Sequence, residues 1–147
     1  MDDNGKWSRA CLRVFGETLR PEEIESMLGL KATRAHLKGE LLSPGQKAAR
    51  RESSWRLESP LSTCSDMVDH LKWLLDSVDP KRDVIRELFK KYNVDLFCGF
   101  SSGNGQGGFT LDSVTLARLA GLGVPLVLDL YPPGPMESGD NKPSTIQ

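Results

Sequence analysis

Histidine and cysteine are scarce in this chain, with 2 and 3 residues among 147. His36 and His70 form no H-E-x-x-H pair, and no nucleophile elbow is expected. Cys11, Cys64 and Cys98 are odd in number, far apart and without a C-x-x-C pair. That spacing argues against a disulfide framework or a thiolate zinc site, and a reducing compartment, the cytoplasm by default, is expected. An apolar run of the roughly 18 residues that a membrane span requires is also missing. The segment MDDNGKWSRA is acidic and polar where a secretory signal needs basic and then apolar residues. Charge of one sign is not in excess either: 19 Lys and Arg stand against 20 Asp and Glu, a net charge of -1 that argues against a globally basic nucleic-acid binder.

What is present is the composition of a soluble domain, 38% hydrophobic and 27% charged. A chain of this length buries roughly two-thirds of its unfolded surface, enough for a core that needs neither metal nor disulfide. Alternation of Ala10, Leu12 and Val14 with Cys11, Arg13 and Phe15 predicts a strand over Ser8 to Phe15, ended by Gly16. Pro21, Glu22 and Glu23 suit the first turn of a short helix, with Ile24, Met27 and Leu28 on one stripe and Gly29 at its stop. Weak strand character spans Thr33 to Lys38, and Ser43-Pro44-Gly45 makes the following stretch a long loop. Trp55 and Leu57 mark a short strand closed by Pro60. Ser65 is the expected cap of a helix with Met67, Leu71, Leu74, Leu75 and Val78 on one side. Asp79-Pro80 then opens a second helix to Tyr92, with Val84, Ile85, Leu88 and Phe89 facing the core.

Val94, Leu96, Cys98 and Phe100 give the clearest alternating strand, and its hairpin partner is expected to start near Phe109 after the loop SSGNGQGG. Asp112 caps a helix carrying Leu116, Leu119 and Ala120 to a stop at Gly121, and Val124, Leu126, Leu128 and Leu130 line one face of the last strand. Pro132-Pro133-Gly134-Pro135 ends the fold and leaves a flexible Pro-rich tail over 132–147. Thr18 to Leu30 laid over Thr110 to Leu122 pairs Ile24 with Leu116, Met27 with Leu119 and Gly29 with Gly121, which reads either as a β-α-β pseudo-repeat or as helix-stop chemistry common to both segments. The expected architecture is a single α+β domain over residues 1–131, with a basic insert at about 39–52. Its sheet is largely antiparallel, with helices packed on one face.

Few constellations carry chemistry. The glycines from Gly103 to Gly108 would let backbone amides approach a phosphate, but Phe109 and Thr110 resume extended structure where a dinucleotide fingerprint enters a helix. A flexible loop is therefore expected. Cys98, alternating with Val94, Leu96 and Phe100, reads as core, and His70 as a solvated helix residue. Asp66, Asp69, Asp76, Asp79 and Asp83 lack the glycine turn of a calcium loop and read as a solvated acidic face. No catalytic residue, metal ligand or cofactor is assigned. Charge is more informative: residues 31 to 51, with Lys31, Arg34, Lys38, Lys47, Arg50 and Arg51 against Glu40, carry +5 and the remainder of the chain -6. Such asymmetry steers a charged partner, whereas the absence of interleaved aromatics argues against nucleic acid. The residues that alternate away from the core, Arg13, Arg56, Asp95, Phe97, Val127, Asp129 and Tyr131, give the opposite sheet face the composition of a protein interface.

The segments LRVFGETLRPEEIESMLGLKATRAHLKGE, SSWRLESPL, VDLFCGFSS and GGFTLDSVTLARLAGLGVPLVLDLY, in that order, resemble the bacterial domain-of-unknown-function 4279 family over about Arg9 to Tyr131. The likeness is carried by Pro21-Glu22-Glu23-Ile24 before Leu28-Gly29-Leu30, by Lys38-Gly39-Glu40, by Ser54-Trp55 and by Asp129-Leu130-Tyr131. The resemblance implies no activity, cofactor or site residue. Small bacterial proteins without catalytic motifs are commonly dedicated binders. The expected function is thus a non-enzymatic module, an immunity protein that neutralises a cognate toxin by occluding its active site. Arg13, Trp55, Arg56, Asp95, Phe97, Asp129 and Tyr131 are the candidate partner-binding residues. The alternative is a small-molecule sensor or an enzyme using the Arg13, Asp95 and Asp129 face; a nucleic-acid accessory protein is the least expected.

Overall fold

A computed structural model of the chain describes residues 5–132, and the tail expected over 132–147 falls, apart from Pro132, outside the described residues. The first alternating segment forms strand β1, Trp7–Gly16. Helix α1, Pro21–Leu28, has proline in its first turn and Glu22 and Glu23 at its positive end. Gly29, at φ 70°, closes it by donating its amide to the Glu25 carbonyl at 2.8 Å, a left-handed stop that a side chain would strain. Strands β2, Arg34–His36, and β3, Ser53–Glu58, follow. Helix α2, Met67–Val78, a 3-10 turn over Asp79–Lys81, helix α3, Arg82–Lys91, strand β4, Asn93–Ser101, helix α4, Ser113–Leu122, and strand β5, Leu126–Leu130, complete the order.

The strands form one sheet in the order β2-β3-β1-β4-β5. The first three pairings are antiparallel, and β5 runs parallel to β4 with Leu96 opposite Leu126. The fold is the mixed α+β domain with a mostly antiparallel sheet that the pattern predicts, but it has no hairpin partner near Phe109. Phe109 packs edge-on against Phe100, ring centroids 5.1 Å apart, so its apolar surface is buried by a side-chain contact rather than by strand pairing. Asp112 then caps α4 by accepting the Thr115 amide at 2.8 Å, and the helix returns the chain to a parallel strand, as parallel pairing demands. The two segments compared as a repeat both run strand, helix, strand in parallel, because β2 lies two antiparallel steps from β1. They are not equivalent in detail. Helix α4 stops at Gly123, φ 81°, and not at Gly121, while Leu116 is exposed where Ile24 is buried.

Helices α1 to α4 cover one face of the sheet. Helix α2 packs on β1 and α3 on β4, and Leu12, Trp55, Leu71, Leu74, Leu75, Ile85 and Leu96 are buried in the layer between. Several expectations fail at ends and edges. Asp66, not Ser65, holds the N-cap position of α2, and the Asp79 carboxylate caps no helix but accepts from Arg118 at 2.6 Å. Phe89 is 41% exposed, off the α3 stripe. Leu126, Leu128 and Leu130 are exposed by 38%, 43% and 65%, because β5 is the sheet edge and α2 and α3 lie over β1 and β4. The basic insert is a folded arm and not an open loop: Leu41 bridges Ala49, the Gly39 amide donates to the Arg50 carbonyl at 2.9 Å, and the Arg50 amide donates to Glu40 at 2.7 Å. His70 is fully buried and not solvated, with Nδ1 2.8 Å from Ser59 Oγ, and burial pushes its pKa down.

Two outcomes follow from this packing. Leu96→Ala costs about 2–5 kcal/mol in urea unfolding, whereas Leu130→Ala on the edge costs under about 0.5 kcal/mol; equal losses would mean that β5 is covered. Because native His70 is held neutral, unfolding takes up a proton between its lowered native pKa and the ordinary value of about 6.5. His70 thus contributes nothing unfavourable above about pH 6.5 and destabilises the fold progressively as pH falls through that window. His36, also shifted down, has the same sign. His70→Gln flattens the fall in unfolding free energy between about pH 6.5 and 5, and an unchanged slope would exclude a buried neutral imidazole.

Candidate functional site

Alternation puts every second residue of the strands on the face that the helices leave open, and the antiparallel register lines these residues up across the sheet. One row holds Arg34, Arg56, Arg13 and Asp95, on β2, β3, β1 and β4 in turn. A row to one side holds His36, Ser54 and Phe15; to the other side lie Glu58, Cys11, Phe97 and Val127, then Arg9, Gly99 and Asp129. Two arginines of the central row are neutralised. Arg13 Nε and Nη2 donate to the two Asp95 carboxylate oxygens at 2.8 and 2.7 Å, fork to fork, and Arg34 Nε lies 3.0 Å from a Glu58 oxygen. The Arg13 guanidinium also sits 4.2 Å from the Phe97 ring centroid and 5.0 Å from that of Phe15. Its hydrogen bond to Asp95 raises its pKa against the opposing effect of burial. Arg56 stands between two like charges, and among the described residues its buried Nε has no hydrogen-bond acceptor.

Beside this row opens a cleft of about 360 Å³, lined by Arg9, Cys11, Arg34, Arg56, Phe97 and Tyr131 among others. Arg9 lies over the Trp7 ring at 4.8 Å, and the Trp7 and Tyr131 rings meet at 4.9 Å. Gly99 makes room for the indole, since a Cβ there would come within 3.2 Å of it. The Tyr131 hydroxyl donates to Asp129, which raises the phenol pKa. Burial pushes the Cys11 thiol up to about 11, so the cleft presents no thiolate at neutral pH.

Of the residues singled out in the sequence, Arg13, Arg56, Asp95, Phe97, Asp129 and Tyr131 share the open face. Asp129 does not join Arg13 and Asp95; it lies opposite Gly99 and serves Tyr131. Trp55 is a correction: it points into the core, fully buried, and cannot anchor a partner. Arg9, Arg34 and Glu58 complete the site, and Arg9 was legible from its alternation with Cys11 and Arg13. Cys98 lies on the helix side with its thiol pushed up to about 12 by burial, while His36 is on the open side, so they form no nucleophile pair. Gly99-Phe100-Ser101-Ser102-Gly103 spells G-x-S-x-G, yet Ser101 is buried in β4 opposite Trp7 and does not turn directly into a helix, the next of which begins at Ser113. The glycine loop leads to the expected helix and last strand, but without the strand expected at Phe109 and with parallel pairing of β5 to β4. Helix α4, however, begins only at Ser113, and the Asp112 carboxylate already occupies its N-terminus. Among the described residues no group of three or more His, Cys, Asp or Glu is placed to hold a metal ion.

The sequence profile of a family described as a domain of unknown function (DUF4279) matches residues 6–133, which takes in the whole sheet, its open face and the basic arm. The chain belongs to the DUF4279 family. No curated protein and no solved structure matches it. In this DUF4279 domain the Arg13–Asp95 pair holds the two central strands together across the open face. Asp95→Ala leaves Arg13 unpaired in a row that already contains Arg34 and Arg56, and costs about 2 kcal/mol or more. The double variant Arg13→Met/Asp95→Ala is less destabilised than Asp95→Ala alone; urea unfolding that ranks the double variant lower refutes the pairing account.

Proposed function

We propose that this DUF4279 protein is a non-catalytic binding module that docks an acidic protein surface on its open sheet face, as an immunity protein that occludes the active site of a cognate toxin. The observation that carries this reading is the arginine row, in which Arg56 has no carboxylate partner among the described residues, beside the aromatic cleft of Phe97 and Tyr131. Arg and Tyr supply much of the energy in protein interfaces, and an uncompensated guanidinium selects an acidic counterpart. Rigid strands hold these side chains in place before the partner arrives, which lowers the entropy lost on binding. We propose a cytoplasmic location, where the buried thiols of Cys11 and Cys98 stay reduced. Among the described residues no helix is long and apolar enough to cross a membrane.

A small-molecule sensor is the second reading, favoured by the cleft of about 360 Å³. Co-purification of the tagged protein with the products of neighbouring genes separates the two. The expected result is a stoichiometric partner that is toxic alone and harmless in the complex. Arg9→Ala and Tyr131→Ala, which leave the Arg13–Asp95 pair intact, each weaken that complex by about tenfold or more. If the protein emerges alone while its neighbours are expressed, or if both variants bind and protect as the wild type does, docking on this face is wrong.

A further inference from the structure

The folded arm at 39–52 stands over the open sheet face, and between them lies a second cleft of about 370 Å³. Arg13, Arg50, Arg56, Phe15, Leu42 and Ser54 line it, with Arg51, Ala49 and Glu52 at its remaining walls. Arg13 is occupied by Asp95. Arg50 and Arg56 are not: among the described residues the buried Nε of each has no hydrogen-bond acceptor, and Glu52 makes no ion pair with either. A guanidinium cannot discharge itself by losing its proton, so both donors remain charged and unanswered. Their backbones are fixed from both sides, Arg50 by its hydrogen bonds to Gly39 and Glu40 and Arg56 by strand pairing with Arg34 and Arg13. Phe15 and Leu42 give the lining its apolar part.

We propose that this cleft binds a small organic anion, its carboxylate or phosphate head held by Arg50 and Arg56 and its apolar body lying against Phe15 and Leu42. Two arginines without a carboxylate partner among the described residues, lining one cleft with apolar side chains, are the elements of a small-ligand site, and a compact oxyanion supplies the counter-charge they lack. The positive field of the site is independently visible at His36. Its pKa is lowered first by burial and then by Arg50 and Arg56, with Arg34 adding to the effect and Glu40 opposing it. An anion seated between Arg50 and Arg56 offsets that field and raises the His36 pKa. By linkage its own affinity then increases as pH falls and His36 becomes protonated. The site shares Arg56 with the docking face but does not require a protein partner.

The probes are phenyl phosphate and benzoate, with inorganic phosphate and chloride as controls, titrated into the full chain while the His36 imidazole is followed by NMR. The expected result is a saturable response to at least one aromatic anion at concentrations up to about 10 mM, accompanied by a rise in the His36 pKa. Inorganic phosphate, which lacks the apolar body, binds more weakly, and chloride produces only gradual screening. Comparing phenyl phosphate with benzoate identifies the preferred head group. Arg50→Gln and Arg56→Gln each weaken binding at least about tenfold while the variants stay folded in thermal melts. Arg50 lies on the arm, away from the ladder, so that variant remains informative should Arg56→Gln unfold. Responses that match chloride, or that persist unchanged in the folded Arg50→Gln variant, overturn the proposal. Arg9→Ala and Tyr131→Ala leave anion binding intact, so loss of this site and loss of partner docking are read separately.

Discussion

The sheet is covered on one face only, and the character of the opposite face follows from that constraint. With all the helices on one side, the residues of opposite parity on β1, β3 and β4 face the open side, where a continuous apolar layer would be a liability. The sequence places arginine there four times, and antiparallel register brings three of them abreast. Like charges directly opposite one another destabilise a ladder unless something offsets them. The Arg13–Asp95 fork, reinforced by Phe97 and Phe15, and the Arg34–Glu58 contact offset two. Arg56, between them, is left as the group whose charge points to a ligand or partner.

The same one-sidedness explains why two clefts flank a single arginine. Arg56 forms the divide between the aromatic hollow near Tyr131 and the arm-covered hollow near Arg50. The arm is held by backbone hydrogen bonds from Gly39, Leu42 and Arg50, so the arm-covered wall is built from fixed backbone and not from a passing loop. Both hollows draw on rigid strands for one side, which suits recognition more than induced closure.

The chemistry of Cys11 and Cys98 is suppressed by the same packing. Cys11 and Cys98 sit back to back on β1 and β4, one on each face, and burial raises both thiols far above neutral pH. A buried thiol of this kind behaves as a small apolar side chain. The serine string at the end of β4 is likewise absorbed by strand pairing, since Ser101 lies opposite Trp7 and lacks the sharp turn that exposes a nucleophile.

Period and punctuation determined most of the local structure. The alternation from Ser8 to Phe15 and from Val94 to Phe100, Pro21 before Ile24, Gly29 after Leu28 and Asp112 before α4 each act within one or two turns of chain, and each is visible in sequence. The open-face identities of Arg13, Asp95, Phe97 and Tyr131 were legible for the same reason, since parity along a strand is a local property. What tertiary structure alone decided was which strands lie side by side, in which direction and under what cover. Phe109 has the residue type of a strand but is half-buried against Phe100, and the leucines of β5 have the pattern of a core face but lie past the helices. Trp55 fits an interface by composition, yet its side of β3 faces α1 and α2. The Arg34, Arg56, Arg13 and Asp95 row depends on residues up to 82 positions apart, the separation of Arg13 and Asp95, brought level by ladder register, and no local period encodes that alignment.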